Sequence, residues 1–233
     1  MTYPTIRPEL TLDFANSRQL DPRITFSRSS SATYLNPDTG LITLASDHEA
    51  RFEKEGLLIE ESRTNFITDS ASANNWTLLA GGTTAASSSI CPDGTTDGTR
   101  VTAVALNDGA YKVFSITTSG NHIGSYYART RTGVAVDVKA AISGIAGPIV
   151  TLPADGTWVR VVGGLSNLGA GSKYLSVRSA NASMDIDVWG LQAELGSFPS
   201  SYIPTSGSTV TRSADIAQIT GDNFSSWYND AAS

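Results

Sequence analysis

The chain has 233 residues, a formal net charge of −6 and only 16% charged side chains. It is mildly acidic and has no Lys/Arg run, so it lacks the clustered cations that phosphate contacts require; no nucleic-acid partner is expected. No apolar run approaches the ~20 residues of a spanning helix, so no membrane insertion is expected, and the single cysteine, Cys91, excludes an intrachain disulfide and a CxxC zinc site.

The opening MTYPTIRPEL has no charged region followed by an apolar core, so it does not read as a signal peptide, and synthesis in a cytoplasm is expected. Residues 1–23 hold Pro4, Pro8 and Pro22 and little periodicity beyond Leu10, Leu12 and Phe14. They predict an extended arm with one short strand. Its backbone groups must pair somewhere, and a neighbouring subunit is the expected partner; the alternative is a disordered tail.

Residues 24–66 predict a small docking region of short strands: Ile24–Ser27, Ala32–Leu35, Leu41–Ala45, then segments at Phe52 and Leu57–Ile59. Asn36-Pro37-Asp38-Thr39-Gly40 is a hairpin turn by its chemistry, because Pro presets the first turn residue and Gly accepts the left-handed one. Glu60 and Glu61 are adjacent, so on a strand they face opposite ways and cannot act as one acid/base pair.

Residues 67–205 predict the main domain. Ten short strands are expected, beginning at Trp76, Thr84, Arg100, Tyr111, Ile123, Ala135, Ile149, Trp158, Tyr174 and Met184. Gly-, Pro- and Asp-rich turns such as Pro92-Asp93-Gly94 and Asn107-Asp108-Gly109 separate them. Many short strands with such punctuation indicate an all-β antiparallel sandwich or jelly roll. In DIDVWGLQAEL, Asp185, Asp187 and Trp189 alternate with Ile186, Val188 and Gly190, the period of a half-buried strand. Gly196 and Pro199 end it, and an extended arm leaving the domain is expected to follow, with residues 206–233 as a C-terminal arm. Phe224, Trp227 and Tyr228 in that arm are too apolar for water. Together with Phe14 they are the candidate assembly interface.

The runs WGLQAELGSFPSSYIPT (189–205), TRSAD (211–215), RSSSATYLNPDTGL (28–41) and GLLIEESRTN (56–65) resemble a recurrent module of bacteriophage virion proteins, mostly tail fibres and related appendages. Between the blocks the chain resembles a jelly-roll carbohydrate-binding module. The resemblance implies a virion structural protein made in the host bacterial cytoplasm. It also implies other virion proteins as partners, a homotrimer as the first expectation, and a host-surface glycan as a ligand. A capsid decoration or head-fibre protein and a stand-alone carbohydrate-binding module are the alternatives.

No catalytic pattern supports an enzyme. GxSxG, HExxH, GxxxxGK[ST] and GxGxxG are all absent, and His48 in Asp47-His48-Glu49 reads as a surface loop residue. Asp185 and Asp187 share a strand face ~7 Å apart. That spacing suits glycoside chemistry in principle, solvation of an outer face, or a structural Ca²⁺, the one cofactor expected as an option. Sugar binding by a jelly roll needs exposed aromatic rings with polar neighbours. The candidates are Trp76, Tyr111, Tyr126 and Tyr127, with Trp158 and Tyr174 beside them. Tyr126 and Tyr127 are adjacent, so one should face in and the other out, while Trp158 and Trp189 read as packing residues.

Overall fold

The computed structural model describes residues 10–71 and 73–228. The described chain divides into two compact units: one takes the residues up to Ser62 together with those from Ser213 onward, and the other is Arg63–Arg212. The divisions thus fall at 62/63 and 212/213 rather than after 66 and 205. No helix among the described residues is long and apolar enough to cross a membrane.

The first unit begins with the one-turn helix α1 (Phe14–Ser17), capped by Asp13, whose carboxylate accepts the Asn16 N–H at 3.2 Å. Strands β1 (Thr25–Ser27), β2 (Ala32–Leu35), β3 (Ile42–Ala45), β4 (Arg51–Glu53) and β5 (Gly56–Leu58) follow. β2 and β3 form the expected hairpin. The Gly40 N–H donates to the Asn36 carbonyl at 2.8 Å, and Gly40 itself takes φ +70°.

The second unit holds β6 (Arg63–Asn65), β7 (Thr77–Leu79), β8 (Thr83–Ala86), β9 (Thr99–Ala103), β10 (Gly109–Ile116), β11 (Gly120–Thr130) and β12 (Val136–Ile142). It continues through β13 (Ile145–Ala146), β14 (Val150–Leu152), β15 (Val159–Val162), β16 (Ser166–Leu168), β17 (Gly171–Ser179), β18 (Met184–Leu195) and β19 (Val210–Arg212). The chain then returns to the first unit with β20 (Ile216–Gln218) and the one-turn helix α2 (Asp222–Ser225).

β20 pairs antiparallel with β1, Thr25 opposite Gln218 and Ser27 opposite Ile216. The C-terminal segment is therefore not a free extended arm. Residues 206–212 run into β19, which pairs with β6, and residues beyond 212 complete a unit begun at the other end of the chain. Phe14, expected to meet another subunit, packs on Phe52 of its own unit at 6.3 Å between ring centroids.

The second unit is a jelly-roll sandwich of two six-stranded antiparallel sheets. The first sheet runs β13-β12-β17-β10-β7, with β14 on β12; the second runs β15-β11-β18-β9-β8, with β16 on β11. From β9 to β12 each successive strand crosses to the opposite sheet, so neighbours in a sheet are distant in sequence. Alternate residues fill the interior: Phe114, Leu175, Val177 and Ile142 from one sheet meet Val101, Tyr126, Ile186, Val188 and Leu191 from the other. Each large side chain so buried contributes about 1.5–3 kcal/mol.

One irregularity shapes the outer face of the second sheet. Ser125 pairs with Gln192, but Tyr127 pairs with Trp189, so β18 carries one extra residue at Gly190, which takes φ +65°. The bulge flips the parity of the strand. Before it Ile186 and Val188 face in; after it Leu191 and Ala193 do. Trp189 is turned outward yet is only 1% exposed, because Tyr202 lies on it at 4.4 Å.

Residues 196–205 do not leave the domain. They double back as a strap across the outer face of the second sheet, held by a buried polar network. The Ile203 N–H donates to Gln192 Oε1 at 2.7 Å, the Ser200 hydroxyl to Glu194 Oε2 at 2.7 Å, and Asn65 Nδ2 to the Leu191 and Ile203 carbonyls at 3.0 and 2.9 Å. The conspicuous run WGLQAELGSFPSSYIPT is thus a structural latch.

Candidate functional site

The strap covers the outer face of the second sheet; on the outer face of the first sheet Tyr111 and Tyr174 are half-buried and Ser176 beneath them is buried. On β10 alternation turns Lys112, Phe114 and Ile116 inward and Tyr111, Val113 and Ser115 outward, with Val113 51% exposed. On β17 the same rule turns Leu175 and Val177 in, and Tyr174, Ser176 and Arg178 out.

The register places Ser176 opposite Tyr111 and Tyr174 opposite Val113, so the two tyrosines are diagonal neighbours. Their rings lie 5.2 Å apart, tilted by 54°. Arg178 is opposite Lys139 of β12, where Asp137 shares the outward row. Arg178 Nε donates to Ser176 Oγ at 3.0 Å, and Ser176 Oγ to the Ala141 carbonyl at 3.1 Å. The Thr151 hydroxyl donates to Asp137 Oδ1 at 2.6 Å, and Asn181 Nδ2 also donates to Asp137. Asp137, Thr151 and Asn181 in turn line a cleft of about 750 Å³ at the end of the sandwich. The face therefore runs from a fixed aromatic pair to fixed polar groups. Rings of this kind stack on sugar faces, and the charged row offers hydrogen bonds to hydroxyls.

The other expected platforms lie elsewhere. Tyr126 is fully buried in the core, so it is not a sugar-binding residue; burial pushes its phenol pKa up. Tyr127 does face outward, but on the covered sheet, between Trp189 at 5.8 Å and the Arg160 guanidinium at 5.4 Å. Trp76 is half-buried against the core. Its Nε1 donates to Thr99 Oγ1 at 3.2 Å, and the Lys112 ammonium sits 5.4 Å from its ring centre. Trp158 donates to the Ile90 carbonyl at 3.1 Å, with Arg129 over its ring at 5.3 Å. In the first unit Phe224, Trp227 and Tyr228 gather into one aromatic group, Phe224 lying 5.2 and 4.8 Å from its two neighbours, and Tyr228 is 51% exposed.

Asp185 and Asp187 are occupied by arginines. Arg100 grips Asp185 at 2.8 and 2.7 Å; Asp187 takes Ser87 Oγ at 2.7 Å, Arg131 Nη1 at 2.6 Å and Arg129 Nε at 3.2 Å. Burial pushes the Asp187 pKa up, but hydrogen bonds from Ser89, Ser87, Arg131 and Arg129 outweigh it and hold the carboxyl below its ordinary value. Three guanidinium groups around the pair oppose a calcium ion there. No group of three or more His, Cys, Asp or Glu side chains suited to a metal occurs among the described residues.

His48 is a left-handed turn residue whose Nδ1 accepts the Arg28 N–H at 3.3 Å. His122 is buried beside Phe66. Both histidines therefore serve local structure. The residues least visible in the sequence are Arg178, Lys139 and Asp137. Alternation signals that they face outward, but only the pairing of β17 with β10 and β12 brings them beside the tyrosines.

No family model matches the chain, and no curated protein sequence is similar to it. Solved structures similar to it include the CBM22-1 xylan-binding domain of Paenibacillus barcinonensis Xyn10C (15% identity, TM-score 0.44, covering 59% of this chain and 94% of that one). A second is the C-terminal family 22 carbohydrate-binding module of Clostridium thermocellum Xyn10B (13% identity, TM-score 0.43, 58% and 96%). A third is described as a putative sugar binding protein from Bacteroides thetaiotaomicron (11% identity, TM-score 0.43, 57% and 100%).

Proposed function

We propose that Arg63–Arg212 is a non-catalytic carbohydrate-binding module whose first sheet takes a host-surface glycan on its outer face, against Tyr111 and Tyr174. The observation that carries this reading is the tyrosine pair, 5.2 Å apart, on the sheet face that the strap leaves uncovered. Arg178, Lys139 and Asp137 then serve the sugar hydroxyls. Glycan-array screening of the intact chain, sensitive to millimolar affinity, tests it. A binder whose signal falls in Tyr111→Ala/Tyr174→Ala supports the reading, and an array without a binder removes it.

A second reading concerns where the module works. Three of the four sequence runs that resemble phage appendage proteins supply Arg28, Glu60 and Asp215, which meet inside the first unit. That supports a folded terminal unit as a docking platform of a tail fibre or tail-tip protein, with the exposed Phe224 and Tyr228 rings as its contact. Mass measurement of the purified chain tests assembly. A trimer is expected, and a monomer at high concentration would sink it.

A further inference from the structure

Asp187 leaves its arginine partners incompletely used. Arg129 spends only Nε on the carboxylate, at 3.2 Å, and both its terminal nitrogens have no hydrogen-bond partner among the described residues. Arg131 uses Nη1 on Asp187 and on Ser89 Oγ, and its Nε lies 3.6 Å from Asp185, so Nη2 has none either. Arg129 and Arg131 line a separate cleft of about 340 Å³, together with Ser89, Thr130, Asp155 and Asp187.

The guanidinium groups are held rigid. Asp187, whose side chain is 1% exposed, anchors both from below, and the Trp158 ring backs Arg129. An arginine fixed through Nε, with two parallel Nη donors unspent, is suited to bidentate capture of a carboxylate. Both oxygens of Asp187 are already engaged, so it does not compete. Asp155 is the opposing charge. It lies in solvent, and one of its oxygens accepts the Thr157 N–H at 2.9 Å. Its other oxygen suits a neutral hydroxyl, while the Ser89 hydroxyl is already committed to Asp187 and Arg131. The volume lies at the small end of ligand sites, about one sugar ring with its substituents.

We infer that this cleft is a second sugar site, specific for a carboxylated pyranose of the uronic acid class, with the carboxylate on the Arg129 fork and a ring hydroxyl on Asp155. The choice of a sugar rests on the proposed glycan-binding role of the sandwich; the carboxylate preference rests on the arginines alone. The test is a titration of the intact chain with glucuronate and, separately, with glucose, followed by amide resonances of residues 129–131 and 155–158. Glucuronate should shift them and glucose should do so at least tenfold more weakly. Arg129→Gln should weaken glucuronate at least tenfold. Tyr111→Ala, on the other sheet, should leave glucuronate binding intact, so failure at the tyrosine face and failure at this cleft are read apart. Equal response to the two sugars, no response to either at millimolar concentration, or equal losses in Arg129→Gln and Tyr111→Ala would overturn the inference.

Discussion

Arg28 and Asp215 are 187 residues apart in sequence and 3.0 Å apart in space, both side chains fully buried. Asp215 Oδ2 also accepts Arg51 Nη2 at 2.5 Å and the Glu60 N–H at 2.8 Å. One carboxylate thus ties both ends of the chain into one unit, with the whole sandwich inserted between them. Removing one partner of a buried ion pair strands the others and costs about 3–5 kcal/mol. Asp215→Ala should therefore unfold the first unit at lower urea while the sandwich transition stays in place, which two-probe denaturation will show.

Asn65 is the second tie, this one inside the sandwich. Besides its two donations, its Oδ1 accepts the Ala193 and Ile67 N–H groups, each at 3.1 Å. An orphaned buried polar group costs about 1–3 kcal/mol, so Asn65→Ala should lose at least that much stability. The loss should be local first: hydrogen exchange at Ile203 and Thr205 should accelerate before the core strands open.

Lys112 gives a pH signature. Burial holds its ammonium down to about 8 from the ordinary 10.5, with the Asp69 carboxylate pulling it back up. Below pH 8 folded and unfolded chains both carry the proton. Above it only the unfolded chain does, so stability should rise with pH. Cys91 acts in the opposite sense. Burial pushes its thiol up to about 11 from 9.0, so from pH 9 upward the folded chain keeps a proton that the unfolded chain loses. The clean window is pH 8–9, where stability should rise by up to ~1.4 kcal/mol. Lys112→Met should flatten the rise in thermal melts across that window.

Cys91 also predicts slow chemistry. It is 2% exposed with a raised pKa, and the thiolate is the reactive form. Native protein at pH 8 should resist alkylation over hours, and modification should follow unfolding in mass spectra taken along a denaturant series.

The jelly-roll class was legible because alternation and turn chemistry are local. The hairpin at Asn36–Gly40 and nearly every sandwich strand follow from them. β13 and β16, of two and three residues, carry too little pattern to be seen. The strap is not legible in the sequence, because Pro199 and Pro204 imply extended chain but not its direction. Its course is fixed by Gln192, Glu194 and Asn65, the last more than 120 residues away from the others. Of the adjacent tyrosines, Tyr126 and Tyr127, the expected in-and-out split holds, but the outward ring lies on the covered sheet. No local rule tells which sheet the strap covers.

The most direct measurement is a titration of neutral linear oligosaccharides monitored by the ring resonances of individually assigned tyrosines. Tyr111 and Tyr174 should shift together, with Tyr126 and Tyr127 silent, and Tyr111→Ala should weaken binding by about 0.5–1.5 kcal/mol, roughly two- to tenfold. Shifts confined to Tyr127, or no shift of either paired ring at millimolar sugar, would contradict a glycan site on this face.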